Sequence, residues 1–453
     1  MSNELLLKTR SVIIAQTAQG SAVSVGSFSS GTQTIIDNSF DGGSENAKGA
    51  SYLDIFFDVT DIADTSCVDI YIESSIDGTT FSDPEFLMRS NKISTSSASL
   101  QKLCRLPVVP LYSRLKWKPY SHTIDGILKV VPVLMEYQLT TLSYYGATTP
   151  LSASRDRLAA TSIGDYALFG GGTTGDVSNV VDAYDTSLTR STPTALSVAR
   201  YWLAATSIGD YALFGGGTTG SVSNVVDAYD TSLTRSTPTA LSVARRYLAA
   251  ISIGDYALFG GGTTGDVSNV VDAYNTSLTR STPTALSVAR CSLATTSVGD
   301  YALFGGGYYS NVVDAYNTSL VRSTPTALST ERGTAATSIG DYALFGGGYA
   351  GGAKNVVDAY NTSLTRSTPT ALSLARYNLA ATSIGDYALF GGGHGPVYNV
   401  SNVVDAYDTS LTRSTPTALS VARDFLAATS IGDYALFGGG EPASNVVDAY
   451  EWS

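Results

Sequence analysis

Few residues in this chain are of a type and spacing that could do acid–base or metal chemistry. The only histidines, His122 and His394, lie far apart, and Cys67, Cys104 and Cys291 show no Cys-x-x-Cys or Cys/His spacing suited to zinc. A copper centre needs several imidazole and phenol ligands at one place, which two distant histidines do not supply. The glycine triplet Gly170-Gly171-Gly172 follows a strand-like run but leads into another, with no helix N-terminus to cradle a phosphate. Asp165 and Asp182 recur in every copy of a long repeat, whereas a catalytic centre requires asymmetry. No catalytic residue, metal ligand or cofactor site is therefore expected, and the chain reads as a non-enzyme. A glycan-cleaving activity is the weakest of three functional alternatives.

What chemistry there is lies where the copies disagree. Tyr166-Ala-Leu-Phe-Gly-Gly-Gly172 returns from Tyr211, Tyr256, Tyr301, Tyr342, Tyr387 and Tyr434, at spacings of 45, 45, 45, 41, 45 and 47 residues. Within this near-identity two places vary. One is the pair after a recurring arginine: Asp156-Arg157, Tyr201-Trp202, Arg246-Tyr247, Cys291-Ser292, Gly333-Thr334, Tyr377-Asn378 and Asp424-Phe425. The other is the loop after the glycine triplet, which holds Tyr308 and Tyr309, Tyr349, His394 and Tyr398 in successive copies. The candidate binding residues are accordingly Arg157, Tyr201, Trp202, Arg246, Tyr247, Tyr308, Tyr309, Tyr349, Tyr377, Asn378, His394, Tyr398 and Phe425. Flat rings beside planar polar groups suit the C–H faces and hydroxyls of sugars. The same mixture suits a protein surface, where Tyr, Trp and Arg anchor binding.

The elements that hold these residues are four short strands per repeat. In the first copy they are expected over 158–163, 166–171 and 179–185, with the Thr-Pro-Thr-Ala-Leu-Ser-Val run ending at Val198 as the fourth. Gly164-Asp165 has the Gly-first chemistry of a two-residue hairpin turn. The second and third strands are nearly unbroken apolar runs, as in strands covered on both faces. One four-stranded sheet cannot cover both its own faces, but sheets stacked radially can. Because strand direction alternates, the two variable places should share one face. The turns at Gly164-Asp165 and Ser187–Arg190, which scarcely vary, should share the other. Variation confined to one face points to recognition there, since loops on a rigid scaffold carry binding residues.

The glycine pair ending a strand, then Asp182-Ala-Tyr184, a further strand and Arg200 opening the next unit resemble a kelch repeat. Kelch repeats place a Trp a few residues after the Tyr, where this chain has Thr189-Arg190, and only the last copy has a Trp nearby, Trp452. The resemblance implies a seven-bladed β-propeller over about 146–453. The last copy ends at Ser453 without a fourth strand, while Ala147–Arg155 is a degenerate version of Ser191–Arg200. The segment around 146–154 is thus expected to complete the last blade and close the ring, leaving no inner edge open. The seven recurring arginines, from Arg155 to Arg423, are expected to pair with carboxylates such as Asp182.

Residues 1–140 differ in composition. The runs 52–59, 68–73, 113–118 and 127–139 read as strands, Asp77-Gly78 as a hairpin turn, and the whole as an antiparallel β-sandwich. Asp58-Val-Thr-Asp-Ile, Val68-Asp-Ile-Tyr-Ile-Glu-Ser-Ser, Asp77-Gly-Thr-Thr-Phe and Ser113-Arg-Leu-Lys-Trp resemble small sandwich proteins of tailed-bacteriophage virions. That resemblance implies a virion-attachment domain at 1–140 joined to the propeller at 141–453, contacts with other virion proteins, and a virion location. The polar segment Gly20–Ala50 reads as a loop or arm. Cys67 and Cys104 are open to pairing, with free thiols the expectation where no secretion signal is read.

A net charge of −12 argues against nucleic acid and anionic membranes as partners. No run reaches the length of apolar residues a membrane helix needs, and Lys8 and Arg10 interrupt Leu5-Leu6-Leu7. The expectation is an all-β, non-enzymatic virion protein that adheres through its propeller to a host or environmental glycan. The second alternative is a kelch-type protein-interaction module, and further copies of the chain are an admissible partner.

Overall fold

The computed structural model describes the strand residues of the first 133 positions, then residues 141–396 and 399–452. The chain divides into two compact units, Met1–Thr140 and Thr141–Ser453. In the first, Val23–Val25, Ile127–Val133, Tyr52–Thr60 and Leu100–Pro107 pair in that order into an antiparallel sheet. Gln33–Thr34, Tyr112–Pro119, Val68–Ser75 and Glu85–Arg89 form a second. The expected sandwich packing, the Asp77-Gly78 turn, the rest of the 20–50 segment, His122 and the Cys67–Cys104 question lie outside the described residues.

The second unit is a seven-bladed β-propeller. Blade 1 consists of Ala159–Ile163, Tyr166–Gly170, Val181–Asp185 and Arg190–Ser191, hydrogen-bonded in sequence order from the innermost strand outward. Blades 2 to 6 repeat it, with inner strands beginning at Ala204, Ala249, Ala294, Gly333 and Ala380. Blade 7 takes Ala427–Ile431, Tyr434–Gly438 and Val447–Trp452 from the C-terminal end and its outer strand, Leu142–Thr148, from the start of the unit. The ring therefore closes three strands to one.

Two expectations about the outer edge need correction. The fourth strand is only Arg190–Ser191, and the run 192–200 is not a strand but a crossover to the next blade. Pro193 has no N–H for a ladder, and the amides of Leu196 and Arg200 bond the Asn179 and Ser178 carbonyls instead. Likewise the closing strand is Leu142–Thr148 and does not extend to 154. Thr149–Arg155 is the matching crossover, with Leu151 and Arg155 amides on Asn445 and Ser444.

The apolar runs are explained by the blade stack. Leu168 and Phe169 are adjacent in one strand and both fully buried, because they face opposite neighbours. Leu168, Val181 and Ile163 pack with Phe214 and Tyr229 of blade 2, while Phe169 and Tyr184 pack with Leu436 and Val447 of blade 7. Seven such clusters, one per blade interface, replace a single core. The glycine triplet serves this packing. A Cβ on Gly170 would lie 2.7 Å from the Phe214 ring, and Gly171, at φ +71°, would set one 2.5 Å from the Arg200 carbonyl.

Each blade is pinned to the preceding one by a buried aspartate. Asp227 of blade 2 accepts from the Arg200 guanidinium (2.7 Å) and the Ser197 amide (3.0 Å), both on the crossover from blade 1, and from Arg235 (2.9 Å) of its own outer strand. The expected arginine–aspartate pairing is thus present, and Arg235, at the place where kelch repeats carry Trp, supplies a further donor. In blade 7 that place is filled by Tyr144, whose hydroxyl donates to Asp448 at 2.6 Å. Burial pulls the Arg200 guanidinium below its ordinary value, and Asp227 opposes that shift.

A second pin is the tyrosine two residues on. The hydroxyl of Tyr229 donates to the Thr194 carbonyl at 2.7 Å, and Tyr184, Tyr274, Tyr316, Tyr360, Tyr407 and Tyr450 do the same in their blades. Burial, then the nearby aspartate, raises each of these phenols above the ordinary 10.0. In the unfolded chain they ionise near 10, so the folded state holds these protons longer. The stability they contribute is complete below pH ~10 and is lost as pH rises through their higher folded values. A cooperative alkaline unfolding transition above pH ~10 is expected, detected by circular dichroism together with tyrosinate absorbance. Tyrosines that ionise near 10 with the fold intact would contradict it.

Candidate functional site

The two variable places meet on one rim. Asp156 bridges to Thr173, Tyr201 to Thr218, Arg246 to Thr263, Tyr377 to His394 and Asp424 to Glu441, and the Tyr308 amide donates to the Cys291 carbonyl at 2.9 Å. The pair before each inner strand is thereby tied to the loop after the glycine triplet of the same blade.

The second member of each pair also links the blades. Arg157 donates its amide to the Phe425 carbonyl, Trp202 to Arg157, Tyr247 to Trp202, Ser292 to Tyr247, and Phe425 to Asn378, at 3.0–3.2 Å. All six residues have φ between 51° and 55°, in the left-handed region that bulky side chains rarely adopt. Such a conformation costs roughly 1–3 kcal/mol and persists where surrounding bonds over-determine it. This chain of bonds runs from blade 6 through blades 7, 1, 2 and 3 to blade 4.

It does not pass through blade 5. From the recurring arginine to the repeat tyrosine is 11 residues in the other copies (200 to 211), but 10 in blade 5 (332 to 342). Gly333-Thr334 is therefore not the counterpart of Tyr201-Trp202, as direct alignment of the copies had it. One residue short, the chain runs straight into its strand: Gly333 pairs with Tyr349, and the blade lengthens to Gly333–Ile339, Tyr342–Tyr349 and Ala353–Asn361.

The variable aromatics consequently form two unlike arrays. In blades 7, 1, 2 and 3 they are packed on one another. Arg157 lies 4.4 Å from the Phe425 ring and 5.8 Å from Trp202, Trp202 stands 4.6 Å from Tyr201 and 4.2 Å from Tyr247, and Arg246 covers Trp202 at 5.2 Å. Arg157 is also paired with Asp156 (2.5 Å) and Glu441 (2.7 Å). Burial pushes the Tyr247 phenol up to about 12 and raises the Asp156 and Asp424 carboxyls, while Asn378 donates to Asp424 at 3.3 Å. The rings and both arginines of this array are half-buried, Asp156 and Asp424 are buried, and all are engaged with each other.

In blades 4 and 5 the rings are open, whereas the blade 6 rings Tyr377 and His394 are half-buried. Tyr308 and Tyr309 are 52% and 70% exposed, with ring centres 4.1 Å apart. Tyr349, 39% exposed, stands 5.1 Å from Tyr377, which stacks on His394 at 4.9 Å. Between the two groups lies a cleft of about 170 Å³ lined by Tyr308, Tyr309, Glu331, Tyr349 and Ala350. Glu331 was not among the residues expected from sequence, although comparison of copies marks it, since it occupies the place of Ala199. Asp156, Asp424 and Glu441 were missed as members of the packed array. Tyr398 lies outside the described residues. Among the described residues no cluster of three or more His, Cys, Asp or Glu could hold a metal ion.

No family model and no curated protein matches the sequence. Among solved structures, that of YjhT matches with a TM-score of 0.50 and 12% identity, over 60% of this chain and 99% of the other. At that identity the likeness concerns the fold alone: this is a seven-bladed β-propeller similar to that of YjhT.

Proposed function

We propose that this chain is a non-enzymatic adhesion protein that binds a glycan along the open tyrosine row of blades 4 and 5. The observation carrying this reading is the concentration of solvent-facing rings at one place on the varied rim: Tyr308, Tyr309 and Tyr349 around a cleft with one carboxylate, Glu331. An exposed phenol face covers the apolar side of a sugar ring, and a carboxylate accepts from its hydroxyls. Seven packed interfaces hold the row rigid, which lowers the ordering cost of binding. Residues 1–140 would attach the protein to the head, collar or tail of a bacteriophage virion through other virion proteins. Support for that part is the Asp58, Val68, Asp77 and Ser113 sequence pattern. The negative net charge favours neither nucleic acid nor membrane insertion as a role.

Binding of the labelled full chain to bacterial envelopes and to a glycan array tests the reading. Tyr309→Ala is expected to weaken binding about tenfold or more, roughly 1.4 kcal/mol, with an unchanged melting temperature because the ring is exposed. If periodate oxidation of the envelope sugars leaves binding intact while protease abolishes it, the ligand is a protein and the interaction-module alternative replaces this one.

A further inference from the structure

Arg246 differs from the other arginines of the propeller. The seven interblade pins (Arg155, Arg200, Arg245, Arg290, Arg332, Arg376, Arg423) each reach a buried aspartate. The outer-strand arginines of blades 1 to 6 share those same carboxylates, and Arg157 has Asp156 and Glu441. Among the described arginines of the propeller, Arg246 alone pairs with no carboxylate, in a chain whose net charge is −12. It is also the single basic residue among the six blades that have this variable position (Asp156, Tyr201, Arg246, Cys291, Tyr377 and Asp424). Its half-buried guanidinium rests against the rings of Trp202 (5.2 Å) and Tyr247 (5.5 Å). Stacking of this kind fixes the plane of the fork and leaves its N–H edge unspent.

Arg246 is also the next station along the rim from the tyrosine row. The Ser292 amide bonds the Tyr247 carbonyl at 3.0 Å and the Tyr308 amide bonds the Cys291 carbonyl at 2.9 Å. The order is therefore Arg246-Tyr247, Cys291-Ser292, then Tyr308-Tyr309. A chain-like ligand lying on the tyrosines would meet this guanidinium at its next unit.

We infer that Arg246 reads an oxyanion, a carboxylate, sulfate or phosphate, on one unit of a glycan whose neighbouring unit lies on Tyr308, Tyr309 and Tyr349. This rests on the glycan reading of the row. A planar fork matches such groups bidentately, and half-burial strengthens the attraction relative to open water. Glu331 repels an anion inside the cleft itself, so the charged unit is flanked by an uncharged one. Arg157, whose two terminal nitrogens are already taken by Asp156 and Glu441, does not substitute.

The test uses the full chain on an array of acidic bacterial glycans bearing carboxylate, sulfate or phosphate, each beside its neutral counterpart, with wild type, Arg246→Gln and Tyr309→Ala compared. The expected result is at least tenfold preference of wild type for one anionic class, weakened by salt. Arg246→Gln should erase that preference while keeping the binding of the neutral counterpart and a cooperative thermal melt. Equal binding of charged and neutral forms, or an Arg246→Gln variant that keeps the preference, overturns the oxyanion role; if Tyr309→Ala still abolishes binding, the glycan reading stands without it. Retention of no glycan by wild type overturns both.

Discussion

Replacing Asp227 with alanine is expected to lower the stability of the propeller by about 3–5 kcal/mol, the cost of leaving a buried charge without its partner. Asp227 is fully buried, and so is Arg200, which donates to it at 2.7 Å. The same carboxylate also serves the Ser197 amide and Arg235, so the substitution strands three donors around one cavity. Arg235→Ala should cost far less, because that side chain is 25% exposed and water can replace its partner. A paired exchange, Arg200→Met with Asp227→Leu, should recover much of the loss, since apolar groups of similar volume need no counter-charge. Urea unfolding midpoints measure all three. An Asp227→Ala protein with the wild-type midpoint would show that the pin does not hold blade 2 to blade 1.

Deleting Leu142–Thr148 from the full chain is expected to be damaging on the same scale. It removes the outer strand paired with Val447–Trp452, and with it the Tyr144 hydroxyl bonded to Asp448. That bond to a charged group is worth about 1.5–3 kcal/mol, and the partly buried Leu142 and Tyr144 pack on the cluster between blades 6 and 7. Each of these half-buried side chains adds part of the roughly 1.5–3 kcal/mol that full burial would contribute. The deletion also frees one blade edge for pairing with another chain. Tyr144→Phe isolates the hydrogen bond and should produce a smaller fall in the same thermal melt. If the deleted chain melts with wild type, the ring is held by the blade interfaces alone and the three-to-one closure is dispensable.

Because closure and pins recur with the repeat, they were open to a reader of the sequence. Asp182 and Arg155 return in every copy, and a residue that never varies on both sides of a radial stack is one that the stack needs. The outer edge was less accessible. Whether Thr192–Val198 forms a strand or a crossover depends on where its amides find carbonyls, and those belong to another part of the blade. The register gap in blade 5 was present in the numbering, since only the Arg332–Tyr342 interval is one residue short. Its consequence was not, because only pairing of Gly333 with Tyr349 lengthens that blade.

By itself the sequence determined the seven blades, their closure and the rim on which variation gathers, because each follows from a period, an alternation or a copy count. Which varied side chains remain available to a ligand was decided only by tertiary structure. Trp202 and Tyr309 look alike as aromatic substitutions in a repeat. Yet Trp202 stacks on Tyr247 beneath two arginines, while Tyr309 faces solvent beside a blade one residue out of step. Exposure is a property of neighbours drawn from several blades, and no local pattern carries it.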